Sequence, residues 1–383
     1  MHRRAAAVGE VEAPKWLLPV SSGGRAILNL LMKRDGLSQA AITATLDLSQ
    51  PSVARLIGGF SADGLVRLTE RAPEKRGNPS MHVTLNPDYA YSLGIGLVGD
   101  AVSMTLLDLA GRVRSSRSVA MTSMSRAAVL KQLATLKKKL IAEAHISAAR
   151  IVGAGVGFSG FFVGDPPRFN PPELLNDWAH VDVAEVLTEP LGLSVVCEND
   201  ATAAAAAESL LGIGRSCPTF AYCHLTNGFG GGLVVDGKVV RGTIGNAGDF
   251  GGVLWLLDEG YPNLDLLRDY VAKAGRHYST VEEMVREIEP DTPGVKAWIT
   301  AAKNPIAKLA FLLGHIMAPE KVVIGGRLPE AVAAKLAAEI QMPRTPVRNE
   351  IPFPLPQIVA SQVEGDSVSI GAAAMPLQQL FFG

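Results

Sequence analysis

The chain has 383 residues, of which 48% are hydrophobic and 19% charged, and its formal net charge is −1. That length exceeds one ordinary core and predicts two or three domains, and the composition excludes a disordered or low-complexity chain. No apolar run is long enough to span a bilayer and the opening MHRRAAAVGEVEAPKW has no signal-peptide apolar core, so a cytoplasmic protein without a membrane partner is expected.

Charge is unevenly spread. Residues 1–86 hold 11 Lys/Arg against 7 Asp/Glu, a net of +4, while the rest carries −5. A basic unit on an acidic body hints at nucleic acid at one end. SGGRAILNLLMKRDG has Ile27, Leu28, Leu30 and Leu31 at helical spacing, Ser22 as candidate cap and Gly36 as stop. Ser38 caps a second helix with Ala41, Ile42 and Leu46 inward. After a turn at Asp47-Leu48, Ser49 caps a third, with Pro51 in its first turn and Val53, Leu56 and Ile57 inward. Two short helices joined by a tight turn predict a helix-turn-helix. The second would offer Ser49, Gln50, Pro51, Ser52 and Arg55 to a DNA groove. GLVRLTERAPEKRGNPSMHVTL then reads as a two-stranded wing, with Val66 and Leu68 facing Val83 and Leu85. Its charged tip places Arg71, Lys75 and Arg76 within reach of phosphates or the minor groove. A protein-docking module is the alternative for such a unit.

From Ala90 the pattern becomes strand, turn, strand, turn, strand, with turns at Gly99-Asp100 and Ala110-Gly111. A helix near 126–144 and the buried strand ARIVGAGVGFSG follow. The plan recurs in TFAYCHLTNGFGGGLVVDGKVVRG, which the helix DATAAAAAESLLG precedes and two or three helices between 264 and 315 follow. PEKVVIGGRLP enters a helix through two glycines. GNAGDFGG, residues 245–252, has the composition of a ligand-holding loop between hydrophobic runs and carries one acid, Asp249. Two strand–hairpin–helix halves match an actin-like α/β fold with a ligand in the interlobe cleft.

These segments together resemble the ROK family (repressor, open reading frame, kinase), and in particular its winged-helix transcription regulators. The resemblance covers nearly the whole chain. It rests on LSQAAITATLDLSQPSVARLIGGFSADGLV, RGNPS, GVGFSG, NDWAHVDVAEVLTEPLGLSVVCENDATAAAAAE, NGFGGGLVVDGKVVRGTIGNAGDFGG and VVIGGRLP. It implies a winged helix-turn-helix over 1–88, a small lobe of 89–199 and about 366–383, and a large lobe of 200–365.

The resemblance also separates what the cleft keeps from what it lacks. Family kinases carry Asp-x-Gly-Gly-Thr in the first hairpin, but here the Asp position is Gly96 and the turn reads LVGDA. That implies a dismantled phosphate site. NGFGGGL resembles the second phosphate loop, but a plain hairpin between buried strands is the favoured reading. On the sugar side, Asp200 resembles the catalytic base and Asn199 a hydroxyl partner, while either residue also suits helix capping. Ser159, Gly160, Asn176 and Asp177 align with segments near the sugar, and ordinary turns are their alternative. Asp249 stands for the Glu of Gly-Glu-x-Gly-His, Gly252 replaces its His, and Asp265 is the best match to the Glu closing the zinc loop. No cysteine lies in that loop, and Cys197, Cys217 and Cys223 form no CxxC or Cys/His cluster. No zinc, other metal or cofactor is expected, and the three thiols read as reduced and buried.

The expected function is a DNA-binding transcription regulator, a repressor of carbohydrate-metabolism genes, with operator DNA and a carbohydrate-type effector as partners. The resemblance implies a homodimer or tetramer without enzyme activity. An active hexose kinase and a ligand-free regulator under a protein partner remain the alternatives.

Overall fold

The computed structural model describes residues 9–34, 36–71, 80–166, 168–345 and 347–383. The first unit is built on capped helices. Ser21, one residue before the expected cap, accepts from the Gly24 N–H at 3.2 Å and starts α1 (Ser22–Lys33). Ser38 lies in β1 (Leu37–Ser38) and caps α2 (Gln39–Thr45), and Ser49 caps α3 (Gln50–Ala62), with Pro51 in its first turn. Ile42, Val53 and Ile57 bury the faces of α2 and α3 against α1. The wing pairs β2 (Val66–Arg71) with β3 (Ser80–Leu85), Val66 opposite Leu85 and Leu68 opposite Val83. Lys75 and Arg76 lie outside the described residues.

The small lobe is a five-stranded mixed sheet in the order β10-β7-β4-β5-β6. Its strands are β4 (Tyr91–Val98), β5 (Ala101–Asp108), β6 (Val113–Ala120), β7 (Ile151–Phe158) and β10 (Val195–Asn199). A short hairpin, β8 (Phe161–Val163) and β9 (Arg168–Asn170), follows β7. α4 (Arg126–Ala144) and α5 (Val183–Leu191) cover one face, packing Leu133, Leu136, Leu140 and Leu187 on Leu93, Ile95 and Val156. The large lobe orders its sheet β13-β12-β11-β14-β17. It comprises β11 (Phe220–Leu225), β12 (Phe229–Val235), β13 (Lys238–Val240), β14 (Lys321–Gly326) and β17 (Gln357–Ala360). Its helices are α7 (Phe250–Leu256), α8 (Leu264–Lys273), α9 (Val281–Glu287), α10 (Val295–Ile316) and α11 (Glu330–Glu339). A small hairpin, β15 (Val347–Arg348) with β16 (Ile351–Pro352), is its outlier. Phe250–Leu256 is thus helix, because Asp249 caps it and Phe250 and Leu254 turn into the core.

Between the sheets lie α6 (Asp200–Leu211) and α12 (Ser367–Leu377), packed on each other. Glycine permits that approach: a Cβ on Gly371 would stand 1.8 Å from the Ala203 carbonyl oxygen. The winged unit does not hang free. Its core merges with Leu107, Leu109, Phe381 and Phe382 of the body. Arg25 Nη1 donates to the Gln379 carbonyl at 3.0 Å and Asn29 Nδ2 to that of Phe382 at 2.6 Å. Among the described residues no helix is long and apolar enough to cross a membrane.

Candidate functional site

A cavity of about 670 Å³ opens between the lobes, within the range typical of small-molecule sites. It is lined by Ser159, Gly160, Asn199, Asp200, Asp249 and Asp265 among the residues expected from the sequence. Its centre is Asp200, the first residue of α6. There β10 ends and the chain turns, so the carboxylate is held at a helix N-terminus and is only 7% exposed. Its Oδ1 accepts from the Ala201 N–H at 2.8 Å, and its Oδ2 accepts from the Ser159 hydroxyl. Gly160 has φ +133, and a Cβ there would stand 2.7 Å from the Asn170 carbonyl, so the turn presenting Ser159 requires glycine.

Asn199 and Asp249 are consumed differently from Asp200. Asn199 Oδ1 caps α6 at Thr202 N (3.0 Å), and its Nδ2 donates to the Gly160 carbonyl at 2.8 Å. The amide is therefore spent on the fold, and only its edge borders the cavity. Asp249 is exposed and caps α7 loosely, accepting from the Gly252 N–H at 3.5 Å. It borders the cavity. Asp265 accepts from Asn227 Nδ2 at 3.2 Å and pairs with Arg268 at 3.4 Å; burial pushes its carboxyl above the usual range, against the pull of those partners.

Asn176 and Asp177 are a correction. They lie in a 3₁₀ turn over 173–178, outside the cavity lining. Asp177 accepts from the Arg126 N–H at 2.7 Å and pairs with its guanidinium, so it anchors the start of α4. Those bonds lower its pKa. The resemblance sets the two near a sugar, whereas the turn leaves both out of the lining and directs Asp177 at the start of α4.

The cavity also contains residues the sequence reading passed over. Asn246 sits in the GNAGDFGG loop and pairs both side-chain groups with the backbone of Phe162, at 2.7 and 2.9 Å. His224, on β11, is 1% exposed with Nε2 at 3.8 Å from Asp200 Oδ2. Its signal was a histidine inside the apolar strand FAYCHL, which no core position calls for. Asn227, in the turn after that strand, binds Asp265 on one side and accepts from Arg327 Nη1 at 2.9 Å on the other.

Arg327 defines the opposite end of the cleft. It bridges Asp100 (3.0 Å) of the small-lobe hairpin and Glu282 (2.8 Å) of α9. Asp100 also accepts from the Val281 N–H at 2.7 Å, and Arg286 donates to the Ser118 carbonyl of β6 at 2.7 Å. The two hairpin turns touch: a Cβ on Gly99 would lie 2.0 Å from Asn227 Oδ1. Gly96 faces Ser103, where a Cβ would stand 2.3 Å from the hydroxyl. A second cavity of about 460 Å³ adjoins this network, with Glu282, Glu330, Glu364 and Asp366 against Arg286 and Arg327. No group of three or more His, Cys, Asp or Glu able to hold a metal occurs among the described residues.

On the winged unit, α3 leaves Ser49, Gln50, Pro51 and Arg55 exposed and Ser52 partly so. Ser49 and Ser52 hydroxyls bond at 3.0 Å. Arg71 closes β2 opposite Ser80.

A winged helix-turn-helix joined to a two-lobed α/β body with a polar interlobe cavity defines the class of molecule. Comparison with known proteins agrees. The ROK family's model matches residues 92–261 and that of the MarR family residues 25–77. The chain carries a ROK-family domain behind a MarR-type winged helix-turn-helix. It is 25% identical over 369 residues to an uncharacterized protein, y4fQ, of Sinorhizobium fredii, covering 95% of this chain and 92% of that one. A xylose repressor of Bacillus spizizenii is 22% identical over 59% of this chain and 58% of its own, so the match spans little more than half of either. A glucokinase of Halalkalibacterium halodurans is 25% identical over 62% of this chain and 81% of its own. In fold the chain is similar to a ROK family transcriptional regulator described as a homolog of the E. coli MLC protein. The TM-score is 0.61 at 20% identity, over 94% of this chain and 96% of that one.

Proposed function

We propose that this ROK-family regulator represses carbohydrate genes from an operator and that a carbohydrate-type ligand in the 670 Å³ cavity sets its DNA affinity. The observation that carries this reading is the junction of the two parts. The winged unit shares a core with the small lobe, so a ligand that changes the angle between lobes also moves the large lobe relative to the DNA-reading helix. Such a ligand acts only by preferring one lobe arrangement over the other. In a dimer this alters the spacing of two α3 helices, for which half-sites one helical turn or a multiple apart are expected. Asp200 serves as an acceptor for ligand hydroxyls, with Ser159 holding the carboxylate in place and Asp249 at the rim as a second acceptor. The names of the xylose repressors support the sugar class.

Phosphoryl transfer is absent from this reading. A kinase needs donors and a metal-holding acid around the nucleotide phosphates. Here Asn227 fills the space beside Gly99, Arg327 is already neutralised by Asp100 and Glu282, and the Ser103 hydroxyl occupies the space beside Gly96. The acidic groups of the second cavity would repel a triphosphate. The glucokinase relatives make phosphorylation the rival. Both are tested with purified protein. Fluorescence anisotropy on its own upstream DNA at fixed salt, with and without aldoses and sugar phosphates, should show one ligand shifting affinity. ATP consumption with D-glucose should stay at background. A hexose-dependent ATPase signal, or DNA affinity that no carbohydrate moves, overturns the proposal.

A further inference from the structure

Among the described residues that line the cavity, His224 is the one with buried side-chain polar atoms that lack a hydrogen-bond partner. Both ring nitrogens are fully covered and neither has a hydrogen-bond partner among the described residues. Buried polar groups of folded proteins are almost always bonded, and each orphan calls for an explanation. The fold did not crowd the ring into this state. Its neighbours across the ladder are Gly230 on β12 and Gly325 on β14, which bring no side chain to it. Tyr222, two residues away on the same strand, directs its hydroxyl instead to the Gly326 N–H at 2.8 Å. What lies before the imidazole is Asp200 Oδ2, 3.8 Å from Nε2. That is too long for a hydrogen bond; an oxygen bonded to both atoms would sit beside the line joining them, on the cavity side, where a small shift of the ring must uncover Nε2.

We infer that His224 and Asp200 clamp a single ligand hydroxyl between them, which makes His224 a specificity-determining residue of the cavity. The inference rests on the carbohydrate reading above. The chemistry of the gap selects the group. Asp200 Oδ2 already accepts from Ser159 and offers a further lone pair, so it needs a donor. A neutral imidazole offers one N–H and one lone pair. A hydroxyl donates to the carboxylate while accepting from the Nε2 N–H, and so satisfies both. A carboxylate or phosphate oxygen would be repelled by Asp200, and a methylene would leave the imidazole orphaned and Asp200 Oδ2 with Ser159 alone. The clamp therefore reads one hydroxyl position and rejects the deoxy ligand, because rejection by unpaired buried groups is strong where a site is built to hydrogen-bond. Burial holds the imidazole below its ordinary value, with Asp200 and Asp366 pulling the other way, so the neutral form is the one that meets the ligand.

The test is calorimetric titration of the full chain with D-xylose, D-glucose and the monodeoxyglucoses. His224→Phe keeps a ring of similar size without its nitrogens. His224→Asn keeps a donor should the first variant fold poorly, and thermal unfolding and DNA affinity are recorded for both. The expected result is binding of xylose or glucose by the wild type, weakened about tenfold or more by His224→Phe and less by His224→Asn. For glucose, one deoxy analogue should be equally weak on the wild type and lose nothing more on His224→Phe. Undiminished sugar binding by a folded His224→Phe overturns the clamp and leaves the carbohydrate reading standing, as does equal loss for every analogue. A wild type that binds none of these sugars overturns both.

Discussion

The two ends of the interlobe cleft are built from similar parts and finished in opposite ways. At one end Arg327, Asp100, Asn227 and Glu282 bond to each other across the lobes, and every group has a partner. At the other, Asp200 keeps acceptor capacity and His224 keeps both nitrogens unused, beside an open cavity. Both ends hold buried charge. What separates them is satisfaction: a closed network has nothing to offer a ligand, whereas unsatisfied polar atoms next to space require one. A glycine turn alone would not have told the ends apart, since Gly99 abuts a neighbouring side chain and Gly160 lines a cavity.

The most severe way to break the comparison is Arg327→Met. It leaves Asp100 and Glu282 buried without a cation and should lower stability by about 3–5 kcal/mol in urea unfolding. An unchanged midpoint would mean the filled end is not held by charge. Asp200→Ala attacks the open end: it should reduce ligand response on the order of 100-fold while DNA affinity stays constant. Asp177→Asn, outside the cavity, should leave that response intact. Arg55→Ala touches neither end and should weaken operator binding by roughly 1–3 kcal/mol, with the ligand's fold effect preserved. A smaller, pH-dependent effect sharpens the contrast. His224 is buried with its pKa lowered from 6.5, so below that pH the unfolded chain takes up a proton that the folded one resists. Stability should therefore be level above about pH 6.5 and decline as pH falls below it. His224→Phe should flatten this slope in denaturant midpoints measured across pH. A slope unaltered in the variant would assign acid sensitivity elsewhere.

The sequence was most legible where the signal is local. Helical spacing and Ser38, Ser49 and Pro51 located α2 and α3, and 126–144 was found because Ser125 and the apolar Val129, Leu133, Leu136 and Leu140 follow one helical period. Hairpin turns at Gly99 and Gly237 are marked in the sequence by Gly99-Asp100 and Asp236-Gly237, and both glycines adopt the positive φ such turns use. What escaped was long-range. Arg327 and Asp100 are 227 positions apart, and no window of sequence links them. His224 was hidden because alternation in a strand buried on both faces carries no marker of which side meets a cavity. The helix Phe250–Leu256 starts inside the GNAGDFGG loop and runs into the hydrophobic stretch after Gly252, too short a span with two glycines to show a helical period; its cap and burial decide it. Asn176 and Asp177 misled because proximity along the chain stood in for direction in space.

The joint between α1 and residues 378–383 has a bearing on biosynthesis. Asn29 meets the Phe382 carbonyl across 353 positions of sequence, and Phe381 and Phe382 complete the hydrophobic centre that Ile27 and Leu28 begin. A ribosome releases the DNA-reading helices first, yet the groups that seat them emerge hundreds of residues later. The winged unit is thus seated only after residues 378–383 have been synthesised. For the same reason, transplanting residues 9–85 onto another body would leave α1 facing water unless the recipient supplied a substitute for those two phenylalanines.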